Sequence, residues 1–205
     1  MWALVESGSV TQIYTRPKAI TVGEVNYPAN IFMLWSASEL EAMGIYEVVI
    51  DNTNLKSNEY YINTNQSFDF ADGVVTASYG VATAKPIDDV LFTAQDETDG
   101  IGTEGDVKQV GIRQGHKDII NSQAGGLLQD TDWMVVRAAE GGTAVPSDIA
   151  TWRAAVRTKS NDMCTAIDNA ADVDALATLY EYVNTGTEES PVMERPLGEF
   201  PILGE

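Results

Sequence analysis

The apolar residues of this 205-residue chain change their spacing once, and that change limits the fold more than any motif does. Up to about residue 90 they fall in short alternating runs, as strands with one covered face require. From Val107 onward they recur every three or four residues, as helices require. Between the two, residues 91–106 lose periodicity and gain glycine and acid, the composition of a connecting loop. Elements segregated in this way predict an α+β protein. Its parts are a small antiparallel β-rich domain over 1–90 with one short helix, an acidic glycine-rich linker over 91–106, a helical domain over 107–184 and an extended tail over 185–205.

Local signals fill in the first domain. Residues 2–5 and 10–15 are β-prone and flank Ser7-Gly8-Ser9, the arrangement of a hairpin. A second hairpin runs through Asp72-Gly73, a pair that readily takes the positive φ angles of a primed turn. Ser36 and Glu39 have capping-box spacing, Leu40 and Met43 follow, and Gly44 is placed to close that short helix before a strand over 45–50. Residues 60–62 add another strand.

In the helical half, Ile112, His116, Ile119, Ile120, Ala124, Leu127 and Leu128 recur at three- and four-residue spacing, yet Gly111, Gly115, Gly125 and Gly126 weaken the helix. Each helical glycine costs roughly 1 kcal/mol relative to alanine, so this helix needs a partner surface. Pro146 marks the start of the next, with Ser147 and Asp148 as cap and dipole partner and Ile149, Trp152, Val156, Met163, Ile167 and Ala170 following at near-heptad steps. A last helix from about Asp172 places Val173, Leu176, Leu179, Tyr180 and Val183 on one side and ends at Asn184-Thr185-Gly186. Beyond it, three prolines and five glutamates predict a tail that is disordered in isolation.

Charge narrows the function. The net charge is −19, which disfavours nucleic acid and anionic membrane surfaces as partners. The acid is unevenly spread: residues 160–205 carry one basic against ten acidic residues, whereas residues 131–159 carry four basic against three acidic. Joining neighbouring copies through an acidic arm and this locally basic module predicts assembly that weakens as salt rises. The first residues lack a basic region and reach Glu6 before an apolar stretch develops, so no signal peptide is expected.

Motifs for catalysis are weak. Gly100-Ile101-Gly102-Thr103-Glu104-Gly105 matches G-x-G-x-x-G, but no strand leads into it, and Asp99, Glu104 and Asp106 oppose a phosphate. Read as a calcium loop, the same stretch has Gln95 in the first ligand slot and Asp106 in the closing one, so solvated acid is the better reading. One histidine, His116, and one cysteine, Cys164, exclude two-histidine and multi-cysteine metal sites, and both sit at helix positions without catalytic neighbours. No catalytic residue, cofactor or metal is expected.

One constellation stands out. Trp133 and Trp152 are large anchors, and Arg137, Arg153 and Arg157 are planar donors able to pair with carboxylates; these five are the candidate partner-binding residues. The order Leu127-Leu128, Asp132-Trp133, Arg137, Glu140-Gly141, Val145-Pro146, Trp152-Arg153 and Arg157 resembles the C-terminal helical module of bacteriophage tail accessory proteins. These are the tail-fibre assembly and tail-assembly-chaperone-like proteins. The N-terminal half is similar in style at Tyr27-Pro28, Phe32, Trp35, Gly44-Ile45-Tyr46 and Tyr61. The proline- and acid-rich tail departs from the family pattern, as does Trp152 where tyrosine is common. The resemblance implies a non-enzymatic, oligomeric virion component that binds fibre or baseplate proteins and works in the host cytoplasm during assembly. A second reading is a receptor- or glycan-binding module at a fibre tip, with Tyr60, Tyr61, Phe68 and Phe70 stacking on sugars.

Overall fold

The computed structural model describes residues 1–204, and the chain divides into two compact units, Met1–Thr83 and the remainder from Ala84. Both strands and helices are present, strands dominating the first unit and long helices the second, so the protein is α+β.

In the first unit, β1 (Trp2–Glu6) and β2 (Ser9–Tyr14) form the expected hairpin. Its turn places Ser7 at φ 52° and Gly8 at φ 78°, which matches the right-handed twist of the flanking strands. A small hairpin, β3 (Ile20–Val22) and β4 (Val25–Tyr27), leads to two short helices rather than one, α1 (Ile31–Leu34) and α2 (Ala37–Glu41). The capping box is formed: Ser36 N–H donates to Glu39 at 2.7 Å, and Glu39 N–H donates back to the Ser36 hydroxyl at 3.4 Å. Gly44 follows at φ 80°, where an added Cβ would lie 2.7 Å from the Val5 carbonyl. Only glycine suits that crossing.

Strand β5 (Ile45–Asp51) then pairs antiparallel with β1, aligning Leu4 with Ile45. Strands β6 (Tyr61–Ile62), β7 (Gln66–Ala71) and β8 (Val74–Tyr79) follow, and β9 (Thr83–Ala84) begins on the unit's last residue. The β7–β8 turn carries Asp72 at φ 51° and Gly73 at φ 80°. The main sheet has the order β2-β1-β5-β8-β7, while β6 and β9 pair separately. One neighbour pair departs from the antiparallel expectation: β5 and β8 run parallel, Val48 facing Val75, because the β6–β7 segment returns the chain to the starting end. Core residues lie on both faces of this sheet, although on the side of Ile45 the β7–β8 end is exposed at Ser67, Asp69 and Ala71. Leu4, Tyr14, Phe32, Leu40 and Ile45 form one core, and Ala3, Val48, Val75 and Ala77 with Phe68 and Phe70 form the other.

The second unit opens with β10 (Val90–Leu91), α3 (Ala94–Thr98) and β11 (Val107–Gln109). The stretch expected to be a structureless linker is therefore a folded excursion, and the residues after Val107 begin as strand. Sequence periodicity missed it because the order comes from polar side chains. Thr93 and Asp96 form a second capping box, Lys108 bonds Asp96 at 2.7 Å, and Phe92 packs so closely on Gly102 that a Cβ there would lie 2.7 Å from the ring.

Helix α4 runs unbroken from Ile112 to Ala139 over 28 residues, and α5 (Ser147–Asp168) packs antiparallel against it. His116, Ile120, Ala124 and Thr131 meet Arg153, Val156, Ser160, Met163 and Ile167 in this contact. Ile119 and Leu127, which belong to the same apolar spacing, are exposed. The partner surface expected from the glycines is α5. Between the helices Gly141 takes φ 85°, and Gly142 N–H donates to the Arg137 carbonyl at 2.9 Å, a left-handed glycine closure of the helix end. Pro146 is the residue capping α5, without a side-chain bond.

Helix α6 (Val173–Thr178) is capped by Asp172 and shorter than expected, so Val183 falls in the hairpin of β12 (Val183–Asn184) with β13 (Met193–Glu194). The tail expected to be disordered packs on its own unit: Leu197 is buried and its N–H donates to the Leu179 carbonyl. Glu205, the last residue of that predicted tail, lies outside the described residues.

Candidate functional site

The five residues singled out by sequence all lie on the α4–α5 hairpin, but they do not form one surface. Arg153 is only 7 % exposed and is held from three sides: it donates to the Leu128 carbonyl at 2.7 Å, the Thr131 hydroxyl at 2.5 Å and Asp132 at 2.7 Å. Its donors reach three acceptors of α4, so it clamps the two helices and turns inward and not toward a partner. Trp152 lies one residue earlier and is also engaged within the chain, its indole N–H donating to the Pro201 carbonyl at 3.0 Å. The C-terminal strap from Phe200 to Leu203 crosses this indole. Hollows of about 730 and 390 Å³ lie beside it, lined by Trp152, Pro201, Ile202 and Leu203 among others.

Trp133, Arg137 and Arg157 face outward. Trp133 is 55 % exposed, the Arg137 guanidinium stacks 4.8 Å from its ring centre, and Arg137 Nε donates to the Thr143 carbonyl at 3.3 Å. Val136 lies one helical turn on and is 56 % exposed. Arg157 is exposed and makes no ion pair among the described residues. A surface on α4 thus joins an exposed aromatic, an aliphatic and a cation, the chemistry that anchors protein interfaces. Val136 and Ile119 were missed as part of it, although their spacing from Trp133 was visible in the sequence.

At the start of α4, Gly111 N–H donates to Asp89 at 2.7 Å, and the next two amides donate to the Pro86 and Ile87 carbonyls. Arg113 pairs with Asp88 and donates to the Ala170 carbonyl, and Lys117 meets Asp168 at 2.9 Å. These charges tie helix ends together. In the first unit Met33 and Leu34 of α1 are exposed, and a 270 Å³ hollow is lined by Trp2, Phe32, Trp35 and Glu47 among others.

The other candidates carry local roles. His116 is buried, its ring 4.8 Å from that of Tyr180. Cys164 approaches Asn121 at 3.8 Å, and burial raises its thiol pKa, which lowers its nucleophilicity. In the acidic stretch Gln95 donates to Asp99 at 2.8 Å, and Asp96 is held by Lys108 and Thr93. Among the described residues, no three His, Cys, Asp or Glu side chains gather into a metal-holding group, and no helix is long and apolar enough to cross a membrane. Of the aromatics named for sugar stacking, Tyr60 is buried, Phe68 and Phe70 pack into the sheet core, and Tyr61 lies under Lys56.

No family model, curated protein or solved structure matches the chain.

Proposed function

We propose that this protein is a non-enzymatic component of a bacteriophage tail. It binds or connects tail-fibre or baseplate proteins, supports their assembly and stays in the virion. The observation carrying this reading is that the residues resembling the tail accessory module, Asp132-Trp133 through Arg157, all fall on one helical hairpin. That hairpin keeps Arg153 as its internal clamp and turns Trp133, Val136 and Arg137 outward. An exposed tryptophan with a stacked arginine is a docking anchor, whereas a reaction needs nucleophile and base within reach. The glycan-binding alternative loses support, since three of its four aromatics serve the cores.

Mass spectrometry of purified phage particles, with imaging of their tails, tests the reading. It expects this chain at stoichiometric abundance together with fibre or baseplate proteins. Abundance in lysate but absence from particles shifts the role to a transient chaperone. Absence from particles and from every fibre or baseplate complex overturns it.

A further inference from the structure

Helix α4 carries apolar residues on two opposite sides. One side packs on α5 through Ile120, Ala124 and Thr131. The other presents Ile119, Ser122, Gly126, Gln129, Trp133 and Val136 at steps of three, four, three, four and three, all exposed. This is the heptad spacing by which one helix lies along another; Ile119, Trp133 and Val136 are its apolar positions, Ser122, Gly126 and Gln129 are small or polar, and none of the six is charged in a chain of net charge −19. Of the residues flanking the seam, Asp118, Asp130, Asp132 and Arg137 are charged. Asp132 and Arg137 stand five residues apart on its two sides, the separation that pairs a side chain with its counterpart across two parallel helices in register. Asp132 keeps 57 % of its side chain exposed despite bonding Arg153, so it retains acceptor capacity.

We infer that the outer face of α4 is the contact for a second copy of this chain, α4 lying parallel to α4 in register, with Asp132 of each copy facing Arg137 of the other. A face recognising a different protein has no need of this self-complementary charge placement. Arg137 then exchanges its stacking on Trp133 for a charged partner, and the Trp133 rings meet at the seam. Gly126 contributes no side chain at the middle of the seam; a Cβ there meets nothing within 4 Å of its own chain, where Gly126 also borders the 390 Å³ hollow beside Trp152. The inference rests on the self-association expected of the tail reading and names the surface responsible.

Sedimentation of the full chain over a range of concentrations, with variants, tests it. Gly126→Leu fills the gap between paired helices and is expected to tighten the dimer roughly tenfold or more. Arg137→Asp turns both flanking pairs repulsive and is expected to weaken it about tenfold. In a Cys164→Ser background, Ser122→Cys is expected to form an intermolecular disulfide on oxidation, and Asp162→Cys on α5 is not. A chain monomeric at every concentration, or a dimer indifferent to Gly126→Leu and uncrosslinked through Ser122→Cys, overturns the inference. Monomeric protein found in particles leaves the tail role standing without this contact. A cross-linked dimer absent from particles and from fibre or baseplate complexes does the reverse.

Discussion

Three residues show how much depends on single groups. Gly111 at the start of α4 lies against the backbone of Asp88, where an added Cβ would come within 2.3 Å of the carbonyl carbon. Backbone cannot swing aside as a long side chain can, so Gly111→Ala should destabilise the protein by about 1–3 kcal/mol in urea unfolding. Arg153→Leu removes the donor shared by Thr131, the Leu128 carbonyl and Asp132 and should cost about 1–3 kcal/mol in all, since the Thr131 hydroxyl still donates to the Leu128 carbonyl and water reaches Asp132. Arg153→Lys should recover part of that loss, because one ammonium reaches some of the three acceptors. Asp96 is held well below the usual carboxylate value of 3.8, at about 2, chiefly by the Lys108 hydrogen bond and then by Thr93. Since the folded state lowers this pKa, its stabilising contribution is complete above the unfolded value and fades as pH falls from about 4 to about 2. Asp96→Asn should remove that part of the acid dependence, read as a flatter stability profile below pH 4. The Arg153 clamp was not legible as such: an arginine beside a tryptophan looks the same in sequence whether its partner is in the same chain or another. Only the approach of α5 to Thr131 distinguishes the two.

At the level of elements, hairpins and caps were the most legible because their causes are local. Asp72-Gly73 and Ser7-Gly8 adopt positive φ, and Ser36 caps α2, through groups a few residues apart. Helix faces were less legible. Ile119 and Ile120 are adjacent in sequence, and a spacing rule cannot decide which turns inward when apolar residues line both sides of α4. The helix glycines separate by role in the same way. Gly125 has open space around its Cβ position, so Gly125→Ala should stabilise by about 1 kcal/mol through helix propensity, opposite in sign to Gly111→Ala. The tail was misjudged for a related reason: its composition argues for disorder, but Leu197 and the Trp152–Pro201 bond hold it against the helices. Trp152→Phe keeps the ring and loses the N–H donor. It should cost about 1 kcal/mol and speed hydrogen exchange in residues 200–204 more than in α5.

Across the whole chain the net charge of −19 has two consequences. It repels copies from one another, and it had suggested an acidic arm seeking a basic module on a neighbour. The structure places much of that arm on its own unit, with Glu199 bonded to Arg195 and Tyr182 and Glu194 to Thr185, so these carboxylates are already occupied. The salt response of self-association should then be reversed. Raising ionic strength from about 0.01 M to about 0.15 M shortens the screening length from about 30 Å to about 8 Å, which relieves repulsion and should tighten the dimer in light scattering. Loosening instead would mean that attractive pairs between copies, those of Asp132 with Arg137 or of the arm with the basic module, outweigh the overall repulsion. By itself the sequence determined the α+β class, the two hairpin turns, the Ser36 and Asp172 caps and the hairpin that bears the two tryptophans, because each depends on neighbours along the chain. The folded excursion over 91–106, the inward or outward side of each α4 residue, the seating of the tail and the division of the arginines between clamp and surface were decided by tertiary structure. Each depends on a contact between residues far apart in sequence, which no local spacing encodes.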